Sequence, residues 1–113
     1  MQLTLLRGYP DFVGKRATFV GWENGPASYN QTTGDVISLP QRNYYIDAVA
    51  GGVNSINLTT GVMGGFYVRA QPSGVGPRMT WALFWFTPAG VPVANGVNLS
   101  GEQVQIGGNC GQY

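Results

Sequence analysis

The chain has 113 residues, of which only 10% are charged, and its net charge is +1. It contains no histidine and a single cysteine, Cys110, so it lacks the usual general base and cannot form an intrachain disulfide. With no histidine and only one cysteine, the chain cannot form a zinc site built on these residues. It also cannot form the Ser-His-Asp or Cys-His catalytic arrangements.

The low charge is the second notable feature, since about 25% of residues are charged in an average protein. Such a composition suits a subunit whose surface is covered in an assembly, and a robust extracellular β module is an equal alternative. The basic residues form no patch, so we expect no nucleic-acid partner. The N-terminal residues MQLTLLRG lack the features of a secretory signal, and no apolar run is long enough to span a membrane.

Turn residues divide the first part of the chain into short strands. Residues 2–6 and 17–22 are predicted strands, separated by the turn residues at 8–11. Residues 23–34, ENGPASYNQTTG, form a polar loop that is long enough to bind a partner, with a mobile surface loop as the alternative. Tyr29 lies in its middle and is a natural contact residue, because tyrosine offers a large area at a small entropic cost.

The central part of the chain continues this pattern of short strands. Residues 35–39 and 43–50 are predicted strands, the first of which is ended by a proline. Gly51 and Gly52 then predict a hairpin-like turn into another strand at residues 54–60.

The next predicted strand, residues 65–71, alternates between apolar and polar side chains. Its apolar positions point inward, and Tyr67 and Arg69 point outward. Arginine beside an aromatic ring is able to stack on nucleic-acid bases, but a polar contact with a neighbouring strand is the favoured interpretation.

The most apolar stretch is RMTWALFWFTPAG, residues 78–90. Both faces that a strand would present here are apolar, whereas a strand in a half-solvated sheet alternates. We therefore expect a strand that is covered on both faces, by a second sheet or by another subunit. A buried helix is the alternative, but the aromatic enrichment and the flanking proline and glycine favour a strand. The residues expected to be largely removed from water are Trp81, Leu83, Phe84, Trp85 and Phe86.

The chain after this stretch contains a predicted hairpin into residues 91–94, a last strand at 103–106 and a flexible Gly-rich tail from about 107 to 113. The whole chain thus has roughly eight short strands and no convincing helical stripe. This pattern predicts an all-β fold, an antiparallel β-sandwich or jelly roll, in a single domain over residues 1–113.

The few carboxylates are scattered along the sequence. A pair such as Asp35 and Asp47 is able to meet across strands, as a glycosidase would require, but nothing in the spacing favours it. No cluster of acidic residues indicates a calcium site, and no Gly-rich loop precedes a helix as a phosphate cradle would. We therefore expect no enzymatic activity, no cofactor and no metal.

The remaining functional candidates are side chains suited to an interface. Aromatic residues and arginine are enriched where proteins bind one another. The predicted interface residues are Tyr9, Trp22, Tyr29, Tyr45, Tyr67 and Arg69. For Trp22, packing in the core is the alternative.

The chain also resembles a known class of proteins in its signal-free start MQLTLLRG, its Gly/Asn/Thr-rich turns and segments such as GDVISLPQRNYYIDAVAGGVNSINL. It is similar to the small β-sandwich decoration, or cement, proteins of tailed-bacteriophage capsids. The resemblance implies a virion structural protein that is made in the host cytoplasm. Such a protein sits on the outer capsid surface as an oligomer, with a trimer favoured, and binds the major capsid protein.

A carbohydrate-binding or adhesive β-sandwich, in a tail, a fibre or an extracellular protein, is the alternative function. Exposed aromatic rings would then stack on sugars. The candidates for this role are Tyr9, Trp22, Tyr29, Tyr44 and Tyr45.

Overall fold

The computed structural model describes residues 2–5, 11–13, 16–40, 44–49, 52–73 and 80–112. The all-β prediction is confirmed, because the regular elements formed by the described residues are all β-strands. None of the described residues forms a helix, so none of them lies in a helix that could cross a membrane. The strands are β1 (Thr4–Leu5), β2 (Asp11–Val13), β3 (Arg16–Asn24), β4 (Asp35–Ile37), β5 (Tyr44–Val49), β6 (Val53–Asn57), β7 (Met63–Ser73), β8 (Thr80–Phe86) and β9 (Glu102–Gln112).

These strands form one curled sheet. Its order is β1-β3-β9-β6-β7-β8-β4, with β2 also paired to β3 and β5 also paired to β9. All strand pairs are antiparallel, and the sheet curls into a half-barrel. Its two ends meet where the Leu3 N–H donates to the Ser38 carbonyl at 2.8 Å, beside a bridge between Gln2 and Ser38. The finer prediction of a two-sheet sandwich or jelly roll is not confirmed by the described strands.

Strand β9 is longer than the sequence indicated. The prediction of a flexible tail from about residue 107 is wrong for residues 107–112, which continue β9 as far as Gln112. The glycines there allow close approach of neighbouring strands. A Cβ at Gly108 would overlap the Ala48 carbonyl oxygen on β5, and one at Gly111 would lie 2.6 Å from the Tyr45 ring. Composition alone suggested a mobile tail, but the missing side chains serve packing.

The predicted hairpin between β5 and β6 is also wrong. Both strands pair antiparallel with β9, β6 with its beginning and β5 with its end. They therefore run in the same direction, one after the other. Gly52 lies under the Tyr67 side chain, which leaves no room for a Cβ at that position. Gly52 thus serves close packing with Tyr67 rather than a hairpin turn.

Strand β8 lies as the apolar pattern predicted, but its outer face is covered differently. Leu83 and Trp85 point inward and are 1% and 0% exposed, whereas Phe84 and Phe86 on the outer face are half-buried. No second sheet among the described strands lies over that face. Neighbouring groups flank these rings instead, among them the backbone of Gly34 beside Phe84.

The chain after β8 forms a turn and not the full strand predicted for residues 91–94. The Gly90 N–H donates to the Thr87 carbonyl at 2.8 Å, and the chain then runs back along β8. A single bridge joins Phe86 to Pro92, and the Val93 N–H donates to the Trp85 carbonyl at 3.0 Å. Val93 is thereby buried in the core.

The loop predicted as a partner-binding segment closes the interior. Glu23 and Asn24 belong to β3, and residues 25–34 lie against the segment 94–99 through backbone hydrogen bonds. The Leu99 N–H, for example, donates to the Pro26 carbonyl at 2.8 Å. Backbone hydrogen bonds therefore tie this loop to the rest of the chain, while residues 30–33 remain exposed.

Trp85 lies at the centre of the core and contacts the ring of Phe66 edge-on, at 6.1 Å between centroids. The buried apolar residues around it come from both ends of the curled sheet and from the two loops. They are Leu3, Leu5, Ala17, Phe19, Tyr29, Ile37, Leu39, Ile46, Val68, Leu83, Val93, Leu99, Val104, Ile106 and Cys110.

Candidate interaction surface

The structure separates the predicted interface residues from one another. Tyr9 lies outside the described residues. Trp22 is half-buried on the outer side of β3, and Tyr45 is half-buried on β5, where its ring covers Gly111. Neither is fully exposed, and they lie on different strands.

Tyr29 is not an interface residue, because it is only 2% exposed. Its hydroxyl oxygen accepts a hydrogen bond from the backbone N–H of Trp85 at 3.0 Å. Strand β4 begins at Asp35, opposite Leu83, so none of its residues lies opposite Trp85. The Tyr29 hydroxyl accepts the hydrogen bond that a longer β4 would have accepted. The prediction was wrong because a polar loop sequence does not reveal that one of its side chains enters the core.

Tyr67 and Arg69 are the two predicted residues that the structure brings together. Both are exposed on the outer face of β7, and both lie beside the ring of Phe86 on β8. The rings of Tyr67 and Phe86 are 6.4 Å apart with an angle of 45° between their planes. The guanidinium carbon of Arg69 lies 5.6 Å from the centroid of Phe86, which is a cation–π distance. We call these three residues the Tyr67 surface.

A groove of about 490 Å³ runs along the Tyr67 surface. The turn after β8 forms one wall, through Thr87, Pro88 and Gly90, and the start of β7 forms another. Gly90 and Gly64 have positive φ angles of 82° and 85°, which only glycine adopts readily. The remaining lining residues are Asn54, Gly64, Tyr67, Arg69 and Phe86.

Apolar side chains are exposed near this groove. Val91 is 58% exposed directly after the turn, and Met63 at the start of β7 is 66% exposed. On the turn between β6 and β7, Leu58 and Val62 are 49% and 60% exposed. Extensive exposed apolar area is typical of binding surfaces.

The sequence did not single out Phe86 as part of this surface. Its apolar character indicated a core position, and its inner neighbours Leu83 and Trp85 do occupy the core. The available signal was the alternation of faces along β8, which places Phe86 on the face opposite to that of Trp85. On this outer face Phe86 lies opposite Tyr67 of β7.

The interior contains a pair of carboxyl groups that the sequence did not reveal. Asp35 does not pair with Asp47 but faces Glu23, and the two are 6% and 3% exposed. Burial, followed by the nearby carboxyl group of Asp35, raises the pKa of Glu23 from 4.5 to about 10. The direction of this shift favours the protonated form of Glu23 at neutral pH. Glu23 falls on the inward side of β3 with Ala17 and Phe19, which was the signal available for its burial.

Two further groups, the Tyr29 hydroxyl and the Cys110 thiol, are also enclosed. Burial raises the pKa of the Tyr29 hydroxyl and, together with the charge of Asp47, that of the Cys110 thiol. Cys110 is a free thiol with 0% exposure, so it is not placed to form a bridge to another chain. Over the described ranges of the chain, no three histidine, cysteine or acidic side chains come together as a metal site would need.

Comparison with known proteins identifies no relative. No protein-family model matches the chain, and no significant match is found among curated proteins or solved structures.

Proposed function

We propose that the protein is a non-enzymatic virion structural protein, which decorates and stabilises a phage capsid by binding its major capsid subunits. The observation that carries the binding role is the exposed groove in which Tyr67 and Arg69 flank Phe86. Tyrosine and arginine are among the residue types that most often supply binding energy at protein interfaces. The capsid as the partner, and the outer capsid surface as the location, come from the resemblance in sequence style described above.

The protein acts as an oligomer in this proposal, with a trimer favoured. The support is the exposed apolar area at Leu58, on the turn between β6 and β7, and at Met63, the first residue of β7. Few charged residues are available to keep such a surface soluble, and closed symmetry is the usual way in which identical chains bury it.

The test measures self-association by sedimentation equilibrium and retention on capsids assembled from the purified major capsid protein. We expect an oligomer that is retained on the capsids, with little loss at raised salt because few ion pairs are available. Replacing Tyr67 and Arg69 together by serine should weaken retention by about tenfold or more.

The matched control is Gln105→Ser, which changes an exposed side chain on β9. This variant should bind like the wild type. A protein that remains monomeric and is not retained on capsids would contradict the proposal.

A carbohydrate-binding module is the second candidate. The rings of Tyr67 and Phe86 line the groove with the amide of Asn54, and apolar walls with a few polar groups are typical of small-molecule sites. A glycan array separates the two functions. Selective binding of one oligosaccharide that is lost in Tyr67→Ser, without retention on capsids, would favour the carbohydrate role.

A further inference from the structure

A second groove, of about 490 Å³, lies between two turns of the chain, and Glu102 at the start of β9 lines it. We refer to it as the Glu102 groove. Its lining residues are Asn57, Thr60, Val62, Gly65, Phe66, Asn98, Gly101 and Glu102. Glu102 is the one ionisable side chain among these residues, and none of them carries a positive charge.

The carboxylate of Glu102 is buried and only half satisfied. The residue is 5% exposed, and its Oε1 accepts a hydrogen bond from the Ser55 hydroxyl at 3.0 Å. Its Oε2 is enclosed and has no hydrogen-bond partner. A buried carboxylate oxygen without a donor is costly, so this atom indicates that a donor is missing.

The carboxylate lies next to a bare stretch of the groove wall. A Cβ at Gly65 would come within 2.8 Å of the Glu102 Oε1, so any side chain at position 65 would crowd the carboxylate. Glycine at this position therefore leaves the carboxylate covered by backbone alone on that side. Oε2 is itself enclosed, so a cation entering the groove would contact it only after the carboxylate had turned and changed its contact with Ser55.

The rim of the groove is held in place by its own hydrogen bonds. The Asn57 side-chain oxygen accepts from the N–H groups of Thr59 and Thr60, and the Asn98 side-chain oxygen accepts from Ser100. The Leu58 N–H donates to the Gly101 carbonyl at 2.9 Å and joins the two turns. The groove is thus formed by fixed backbone.

We propose that the Glu102 groove receives a basic side chain of a partner protein, and lysine in particular. Charge complementarity supports a cation, since no lining residue of the groove carries a positive charge to balance the carboxylate of Glu102. A single free carboxylate oxygen suits the point charge of an ammonium group better than the two-pronged guanidinium. The exposed side chain of Val62 and the ring of Phe66 offer apolar contact to the four-carbon stem. That the lysine belongs to a protein rests on the proposed function as a binding protein.

The probe is N-acetyl-L-lysine amide, titrated into the isotope-labelled full chain and followed by NMR. We expect saturable shifts of the Gly65, Phe66 and Gly101 amide signals. Phe66 is a reporter because its N–H donates to the Ser55 hydroxyl at 3.1 Å. N-acetyl-L-norleucine amide has the same stem without the charge, and it should bind at least about tenfold more weakly.

Two substitutions test the site itself. Glu102→Gln keeps the size of the side chain and should abolish the preference for lysine over norleucine. Val62→Ser changes an exposed residue, so it should leave the fold intact and weaken both probes alike. Val91→Ser is the matched control near the first groove and should change neither affinity.

Equal binding of the lysine and norleucine probes to the wild type would overturn the proposal. Tighter binding of free L-lysine than of the blocked probe would identify a small-molecule site and overturn the assignment to a partner protein. The experiment involves no capsids, so it separates the two proposals. If the chain prefers the lysine probe but is not retained on capsids, the lysine site is supported and the capsid function is contradicted.

Discussion

The hydroxyl of Tyr29 replaces a strand partner for Trp85, so its removal leaves a backbone N–H unpaired inside the protein. We expect Tyr29→Phe to lower the free energy of unfolding by about 1–3 kcal/mol. Urea denaturation measures this change. Tyr67→Phe removes the same atom from an exposed tyrosine and should have almost no effect, so equal losses in the two variants would contradict the prediction.

Glu23 predicts an unusual dependence of stability on pH. Its pKa is about 10 in the folded protein against 4.5 otherwise, so the folded state binds the proton more tightly. The stabilisation is complete below the lower value and is lost as the pH rises toward the higher one. The protein should therefore become less stable between about pH 5 and about pH 9.

The substitution Glu23→Gln tests this assignment, because the amide has nearly the same size as the carboxyl group but does not ionise. We expect the variant to match the wild type at about pH 5 and to be more stable than it at about pH 9. Thermal unfolding at both pH values measures this. The prediction would be contradicted if the loss of stability with rising pH persisted in Glu23→Gln but disappeared in Asp47→Asn, because the effect would then belong to Asp47.

Among the elements, β9 depends most on the absence of side chains. We expect Gly108→Ala to destabilise the protein by several kcal/mol, because the new methyl group would overlap the Ala48 carbonyl and push β5 away from β9. The control is Gly101→Ala, at a position where a Cβ meets nothing within 4 Å. Urea midpoints of the two variants give the comparison, and similar midpoints would show that β5 moves aside without cost.

The same strand shows how far the sequence predicts this fold. Alternation identified β7, because side chains on a strand must lie on one face or the other and the apolar ones lie toward the core. The aromatic-rich apolar run, with proline and glycine beside it, identified β8. The Gly-rich end of β9 carried no such signal, since the interactions that place it come from the backbones of β3 and β5. The sequence also does not predict which strands pair, because a glycine required for close contact between strands looks the same in the sequence as a glycine required for a turn.

The candidate site was predicted in part for the same reason. Tyr67 and Arg69 were recognised as outward residues from their alternation within one strand. Phe86 belongs to the strand beside them, and Glu102 becomes notable only through Ser55 and Gly65, which lie far from it in the sequence. Contacts between strands depend on register, which single-strand patterns do not specify.

At the scale of the whole molecule, one tryptophan joins the parts. Trp85 is 0% exposed and contacts Phe66, while its backbone binds Tyr29 and Val93. We expect Trp85→Ala to cost about 3–5 kcal/mol, as measured by urea unfolding. Val20→Ala, at an exposed position on β3, should cost less than about 0.5 kcal/mol. An unchanged unfolding midpoint in Trp85→Ala would contradict the central place of this residue.

The position of β9 in the sheet also determines when the protein is able to fold during its synthesis. Strands β3, β5 and β6 all pair with β9, yet it is the last of the described strands to be made. A chain still on the ribosome that stops before residue 102 therefore presents β3 and β5 as open edges, to which other chains are able to add. Assembly of the sheet has to wait for contacts between distant parts of the sequence, which places folding in the range of about milliseconds to seconds.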